Sequence, residues 1–223
     1  MSYIYELHAH TSQVSHCGQA SAERVVRNYI DARYNGIVIT DHLNYSTFRK
    51  MQDASWDEKV DYFLSGYKTA VSTASELDKN FKVLFGAELR LENQGDNDYL
   101  IYGMTEDFLR QNPDIMFVDF YEMAKRIHDA GMLLVQAHPF REDMTISDWH
   151  VLDGIEVYNG NSSHNSNNVI ADMWAQRHRL IKTSGSDYHG VWGMRPGGIR
   201  TKLPINDNAD LLSVLTGGDY ELL

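Results

Sequence analysis

The sequence predicts an α/β chain whose strands close into a barrel, and it does so on two patterns. Short apolar runs rich in Ile, Val, Leu and Tyr alternate with longer amphipathic stretches, as repeated β-α units require. Seven such runs suit either an open doubly wound sheet or a closed barrel. The polar residues favour the barrel. His8, His10, His42, Glu88, His138, Asn159 and Asp187 each stand at or near the end of an apolar run. Parallel barrels gather their chemistry at these ends, whereas an open sheet concentrates it at one switch point.

Taken in order, the strand-like runs are Tyr3 to Leu7, Gly36 to Thr40, Lys82 to Leu91, Tyr99 to Gly103, Met132 to Ala137, Gly154 to Tyr158 and Leu180 to Thr183. Helices are expected between them. Ser21 is placed to cap a helix through Tyr34, closed by Asn35-Gly36, where glycine can adopt the left-handed conformation that ends helices. Further helices are expected over Asp57 to Leu77, Asp119 to Ala130 before Gly131, and Asn167 to Arg179, with a short final one over Asn208 to Leu215. No internal repeat, Pro/Ser-rich linker or glycine-rich phosphate loop interrupts the pattern.

Composition narrows the function classes. With 223 residues, 43% apolar and 23% charged, the chain is expected to form one globular domain over 1–223. Thirty-one acidic against 20 basic side chains leave a net charge of −11, which argues against a surface for long nucleic acids. No apolar run reaches the length of a membrane span, and the N-terminus has no basic segment followed by an apolar stretch. The single Cys17 cannot form an internal disulfide, so a reducing cytoplasm is the expected compartment.

Ten histidines in an acidic chain direct attention to metal binding. In His8-Ala9-His10 a strand would turn both imidazoles to one face, a chelating geometry. His16 lies in a polar turn that can fold back over the same strand end. Thr40-Asp41-His42 closes a buried run and sets charged and ligating groups at its mouth; capping of the next helix by Asp41 is the lesser reading. Glu88 is embedded in Val83-Leu84-Phe85-Gly86-Ala87-Glu88-Leu89, where a carboxylate is costly unless paired, protonated or bound to a metal. A bridging ligand is the economical reading; an ion pair with Arg90 is the competing one.

His138-Pro139-Phe140-Arg141 ends another run and sets arginine beside a candidate ligand, as anion recognition demands. Glu156, an acid inside the run Gly154 to Tyr158, is assigned to orienting a ligand histidine. Ser184-Gly185-Ser186-Asp187-Tyr188-His189 adds an acid and an imidazole two residues apart. Oxygen and nitrogen donors without thiolates suit Zn, Mn or Fe, and Cys17, beside His16, is read as a bystander.

The succession H-A-H-T, a histidine six residues later, I-T-D-H, G-A-E, H-P-F-R, G-I-E-V-Y-N-G and S-G-S-D-Y-H resembles the PHP (polymerase and histidinol phosphatase) domain family over residues 3–200. The resemblance implies a distorted (β/α)7 TIM-like barrel holding two to three divalent metals at the C-terminal face. It implies that His8, His10, Glu88 and Asp187 hold one ion, that Glu88 bridges to a second shared with His138, and that His16, His42 and His189 hold a third. Where the family usually carries another histidine, before an apolar run, this chain has Asp98.

The resemblance further implies phosphoester hydrolysis, in which metals acidify a bridging water and stabilise charge during in-line displacement, with Glu88, Asp187 and His189 at the catalytic centre. Arg141 and Arg195 are the candidate phosphate contacts, with Asn159 and His164 as further pocket residues and Asp41 and Glu156 behind the ligands. A small phosphomonoester, a nucleotide or an oligonucleotide end is the expected substrate. The rivals are an amidohydrolase-type metal hydrolase, whose barrel also opens with H-x-H, and a noncatalytic metal-binding interaction module.

Overall fold

The computed structural model describes residues 2–190 and 196–223. Its sheet runs β10-β9-β1-β2-β4-β5-β6-β7-β8. The strands are β1 (Tyr3–Ala9), β2 (Gly36–Ile39), β3 (His42–Leu43), β4 (Lys82–Arg90), β5 (Asp98–Tyr102), β6 (Leu133–Gln136), β7 (Gly154–Asn159), β8 (Ile181–Gly185), β9 (Ile199–Thr201) and β10 (Tyr220–Leu222), with β3 set beside β4. The barrel nearly closes between β1 and the segment after β8. His10 N donates to Tyr188 O at 3.0 Å and Tyr188 N to His8 O at 3.3 Å, making one parallel bridge.

The helices α1 (Ala22–Asp31), α2 (Trp56–Leu77), α3 (Glu106–Gln111), α4 (Phe120–Asp129), α5 (Asn168–His178) and α6 (Asn208–Gly217) connect the strands. Helix α2 opens with a capping box in which the Ser55 side chain accepts from Glu58 N while Glu58 reaches back to Ser55 N. The apolar faces of α2, α4 and α5 cover the outside of the sheet, with Phe63, Met123, Ile127 and Ala171 buried against Phe85, Leu134 and Ile155. Tyr5, Leu7, Val38, Leu84, Leu100 and Val135 form a second cluster with Leu211 and Leu215 of α6.

The expected elements recur with informative differences. Helix α1 stops at Asp31 and not at Tyr34: Arg33 takes the left-handed conformation (φ 68°), because Gly36 already belongs to β2. A Cβ at Gly36 would lie 2.6 Å from Lys82 O, so glycine serves there as close strand packing instead of a helix cap. Helix α3 and the short strands β3, β9 and β10 carry too few residues for periodicity to reveal them.

The strands are also not all parallel. β5 runs antiparallel to both β4 and β6, because residues 91–97 between β4 and β5 are too few for a crossover helix. Reversal brings the first residue of β5, Asp98, to the rim where its neighbours end. β9 and β10 are antiparallel as well, with β9 paired to β1 from Tyr3↔Thr201 to Tyr5↔Ile199.

A bulge in β1 sets the site. The register against β2 shifts between Glu6 and Ala9. Tyr5 and Leu7 pack in one cluster, whereas Ala9 packs with Val25, Val26 and Ile39 under α1. The phase change turns His8 and His10 to the face opposite Ala9.

Gly198 (φ 114°) permits β9 to approach β1, since a Cβ there would meet Tyr5 O at 2.1 Å. Gly198→Ala is expected to destabilise the fold by about 2 kcal/mol or more through overpacking and backbone strain. A lowered urea midpoint at unchanged slope would show it; an unshifted midpoint would refute the close approach.

Candidate metal centre

Glu88 is the centre of the rim. Its carboxylate is 1% exposed, carried inward by the alternation that sends Ala87 and Leu89 outward. Oε1 accepts from His138 Nε2 at 3.0 Å and lies 3.3 Å from His8 Nε2. Oε2 faces His10 Nε2 at 3.3 Å and His42 Nδ1 at 2.8 Å. Asp187, in a left-handed conformation (φ 51°) just beyond β8, adds Oδ1 at 3.3 Å from His10 Nε2 and 3.6 Å from His8 Nε2.

These atoms converge without pairing. Among the described residues, His8 Nε2, His10 Nε2, His42 Nδ1 and Glu88 Oε2 are buried and have no hydrogen-bond partner, although nitrogen and oxygen stand in van der Waals contact or closer. Buried polar atoms left so cost free energy unless a ligand satisfies them. Among the described residues, three overlapping groups have donor atoms within 4.8 Å of one another: His8, His10 and Glu88; Glu88, Asp98 and His138; and His10, His42 and His189. Nitrogen and carboxylate donors at these separations fit divalent cations of the Zn, Mn or Fe type.

Neighbouring residues orient the imidazoles. Glu156 Oε1 accepts from His8 Nδ1 at 2.8 Å, while Oε2 accepts from His138 N at 3.0 Å and Asn159 Nδ2 at 2.9 Å. Once the ring is neutral, this bond keeps the proton on Nδ1 and leaves His8 Nε2 as the lone-pair atom aimed at Glu88. Asp41 acts at one remove. It accepts from Thr11 N at 2.6 Å, Thr11 Oγ1 at 2.7 Å and Ser15 Oγ at 2.7 Å. Having donated to Asp41, Ser15 Oγ accepts from His42 N at 3.0 Å and His10 Nδ1 at 3.2 Å, which again presents Nε2 inward. Burial raises the Asp41 pKa to about 6 against the opposing pull of these donors.

Electrostatics agree with a cation-seeking site. Burial disfavours the His8 imidazolium, yet Glu156, Glu88 and Asp187 outweigh it and raise its pKa well above the ordinary value. His42 is raised in the same way by Glu88, against its burial. Burial opposes the ionised forms of Glu88 and Asp187 too, but the surrounding histidines hold both well below the usual carboxylate range. Cys17 is similar: burial resists its thiolate, and the His189 and His42 rings lower its pKa to about 6.

Several expected residues lie differently. His16 is exposed, and its Nε2 contacts Ser46 O at 3.1 Å, outside every cluster. The turn after Thr11 points the next residue inward instead, setting Cys17 Sγ 3.1 Å from His189 Nε2. Cys17, read as a bystander, thus touches the His189 ring, a placement that S-H-C-G in an irregular turn could not reveal. Asp98 joins Glu88 and His138, but Arg90, its cross-strand partner, grips both its oxygens at 2.7 and 2.6 Å. The alternative pairing of Arg90 with Glu88 is thereby replaced by a pairing with Asp98.

Arg141 Nη2 donates to Asp187 Oδ2 at 2.8 Å and to Asn159 Oδ1 at 3.1 Å. Asn161, which sequence reasoning passed over, donates to the same Asp187 oxygen at 3.3 Å. Arg141, His164, Glu88, Asp187 and His189 line one cleft of about 1040 Å³ above the clusters. Burial and the nearby Arg141 lower the His164 pKa. Arg195 lies outside the described residues.

A barrel rim carrying clustered histidines and carboxylates beneath a cleft that presents Arg141 places the chain among barrels able to hold metal ions at the rim. The PHP domain model matches residues 6–192, and the chain belongs to that family. Among curated proteins none matches. The fold is similar to a two-domain protein from Bacteroides vulgatus containing a predicted PHP-like metal-dependent phosphoesterase, at TM-score 0.72 and 14% identity, covering 100% of this chain and 65% of that one. The lesion-specific endonuclease from Pyrococcus furiosus is similar at TM-score 0.63 and 15% identity, with 100% of this chain and 58% of that one covered. An amidohydrolase from Chromobacterium violaceum matches at TM-score 0.56 and 16% identity, over 98% and 97%. This chain thus spans less than two thirds of the first and second of these proteins, and the likenesses concern the fold. Among the described residues, no helix is long and apolar enough to cross a membrane.

The raised His8 and His42 pKa values set a sign for metal uptake. Their protonated rings repel a cation, so binding displaces protons, and affinity should keep rising with pH above the ordinary histidine range. Titrating metal-free protein with Zn in weakly buffered solution near neutrality is expected to acidify it. Uptake without proton release would contradict the assignment of these rings as ligands.

Proposed function

We propose that this chain hydrolyses a phosphoester of a small phosphorylated substrate, a nucleotide or an oligonucleotide end, using two to three divalent cations. The observation that carries the proposal is the sharing of Glu88 between two donor clusters beneath a cleft that presents Arg141. A carboxylate common to adjacent sites and a cation facing the same space are what a phosphoryl group requires. When bound, the divalent ions supply Lewis acidity toward a phosphoryl oxygen and lower the pKa of an attacking water.

In this reading His8, His10, Glu88 and Asp187 hold one ion, Glu88, His138 and Asp98 a second, and His42 and His189 a third. Glu156 and the Ser15–Asp41 pair hold the Nδ1 atoms of His8 and His10, so that Nε2 of each ring faces inward. Arg141, steadied by Asn159 and Asp187, offers charge-assisted hydrogen bonds to the phosphoryl oxygens, and Asn161 and His164 border the substrate. Arg195 is retained as a second phosphate contact. The whole of 1–223 works as one domain, and the excess of acidic residues favours short substrates over long nucleic acid. Cytoplasmic residence accompanies this reading.

Metal-stripped protein reloaded with Mn or Zn is expected to hydrolyse an aryl phosphate or a mononucleotide, and His8→Ala/His10→Ala should lose bound metal and turnover together while remaining folded by circular dichroism. Full activity in that double variant would overturn the metal assignment. The same samples are assayed against amides and lactones. Turnover there without phosphoester cleavage would transfer the chain to amidohydrolase chemistry, and metal binding without either would leave the interaction module.

Arg141→Ala is expected to lower kcat/KM for phosphate esters by roughly 10- to 150-fold, the equivalent of a charge-assisted hydrogen bond of about 1.5–3 kcal/mol. An unchanged kcat/KM would remove Arg141 from substrate recognition.

A further inference from the structure

We propose that Cys17 is a ligand of the cation surrounded by His42 and His189, making the third cluster a mixed thiolate-imidazole site. The inference rests on the reading that the clusters hold metal, and it adds a donor that the family resemblance does not supply. In place of His16, whose ring leaves for Ser46 O, the following residue delivers sulfur to the rim.

Three features place it there. Cys17 Sγ lies 3.1 Å from His189 Nε2. The backbones are tied beside it, for Gln19 N donates to His189 O at 2.7 Å and Gly18 N to Ser15 O at 2.8 Å. His189 Nδ1 contacts Asp187 O at 2.9 Å, so the ring turns its Nε2 edge toward Cys17. Independently, His42 Nδ1 in the same cluster is buried and has no hydrogen-bond partner among the described residues. That atom calls for a ligand which a Cys17–His189 hydrogen bond alone does not provide.

The separation is compatible with shared ligation. Two donors of one tetrahedral zinc, with Zn–S about 2.3 Å and Zn–N about 2.0 Å, stand roughly 3.5 Å apart. Sulfur and nitrogen need only part by a few tenths of an ångström from the observed 3.1 Å. On ligation the thiol proton passes to solvent and a metal–sulfur bond replaces the S–H bond, with no change in oxidation state. A thiolate donor favours Zn, Co(II) or Fe(II) over Mn. The three clusters would then differ in metal preference, the thiolate site being the most selective for soft ions.

The test uses the full chain stripped of metal and reloaded with Co(II). A near-ultraviolet sulfur-to-cobalt charge-transfer band is expected in the wild type, and Cys17→Ser should abolish it and weaken binding of one ion per chain. A second measurement needs no variant. Cys17 is the sole cysteine and is exposed, so its alkylation reports on one thiol. Saturation with Zn is expected to slow alkylation about tenfold or more, since the metal occupies the nucleophilic sulfur. Full cobalt loading without the band, or alkylation indifferent to Zn, would overturn the proposal. A protein that shows the band but cleaves no phosphoester leaves Cys17 a ligand and removes the hydrolase reading; one that cleaves phosphoesters at full loading without the band does the reverse.

Discussion

The buried carboxylate of Glu88 is the constraint around which the rest of this barrel is arranged. An ionised carboxyl so enclosed must be compensated. Here the compensation comes from four imidazoles, those of His8, His10, His42 and His138, delivered by β1, β3 and the end of β6. No two of these elements are adjacent in sequence, so the carboxylate acts as the point at which distant segments must agree. The remaining unpaired atoms show that histidine alone does not complete the compensation. Cations shared through Glu88 would do so, and stability and chemistry would then depend on the same atoms.

Behind the ligands lies a layer of hydrogen bonds that settles orientation. Glu156 reaches His8, the His138 backbone and Asn159 at once, linking three strand ends through one side chain. Glu6 has a comparable task deeper in the wall. It accepts from His8 N at 2.9 Å, Ser186 N at 2.9 Å and Tyr29 OH at 3.0 Å, tying β1 to the turn that carries Asp187. Burial raises the Glu6 pKa despite these donors. Each acid satisfies backbone amides that the bulge and the left-handed turns would otherwise leave without partners.

The reversed strand β5 has a similar economy. A parallel strand there would put Asp98 at the opposite end of the barrel. Running antiparallel, β5 offers its first residue to the rim, where Arg90 holds it beside Glu88 and His138. The Arg90 pair makes Asp98 a carboxylate already engaged by a cation, which distinguishes it from the neutral histidine usual at this point of the family. Charge at that corner is consequently balanced by guanidinium as well as by any bound ion.

How much of this was legible depended on whether a residue belonged to a regular element. His8, His10, Glu88, His138, Asp187 and Glu156 interrupt or terminate apolar runs, and the period of a strand alone assigns them to one face or one rim. Residues in turns carry no such periodicity. Whether His16 or Cys17 faces the site depends on the turn between Thr11 and Gly18, whose flanking residues His10 and Gln19 donate to Tyr188 O and His189 O only once the barrel closes. The partner of Arg90 was likewise open until β5 was seen to run backward. The sequence by itself determined the chemistry available at the rim, because strand period and the cost of burying charge act locally. Tertiary structure decided which donors meet, because bulges, strand direction and turn closure are set by packing between segments far apart in the chain.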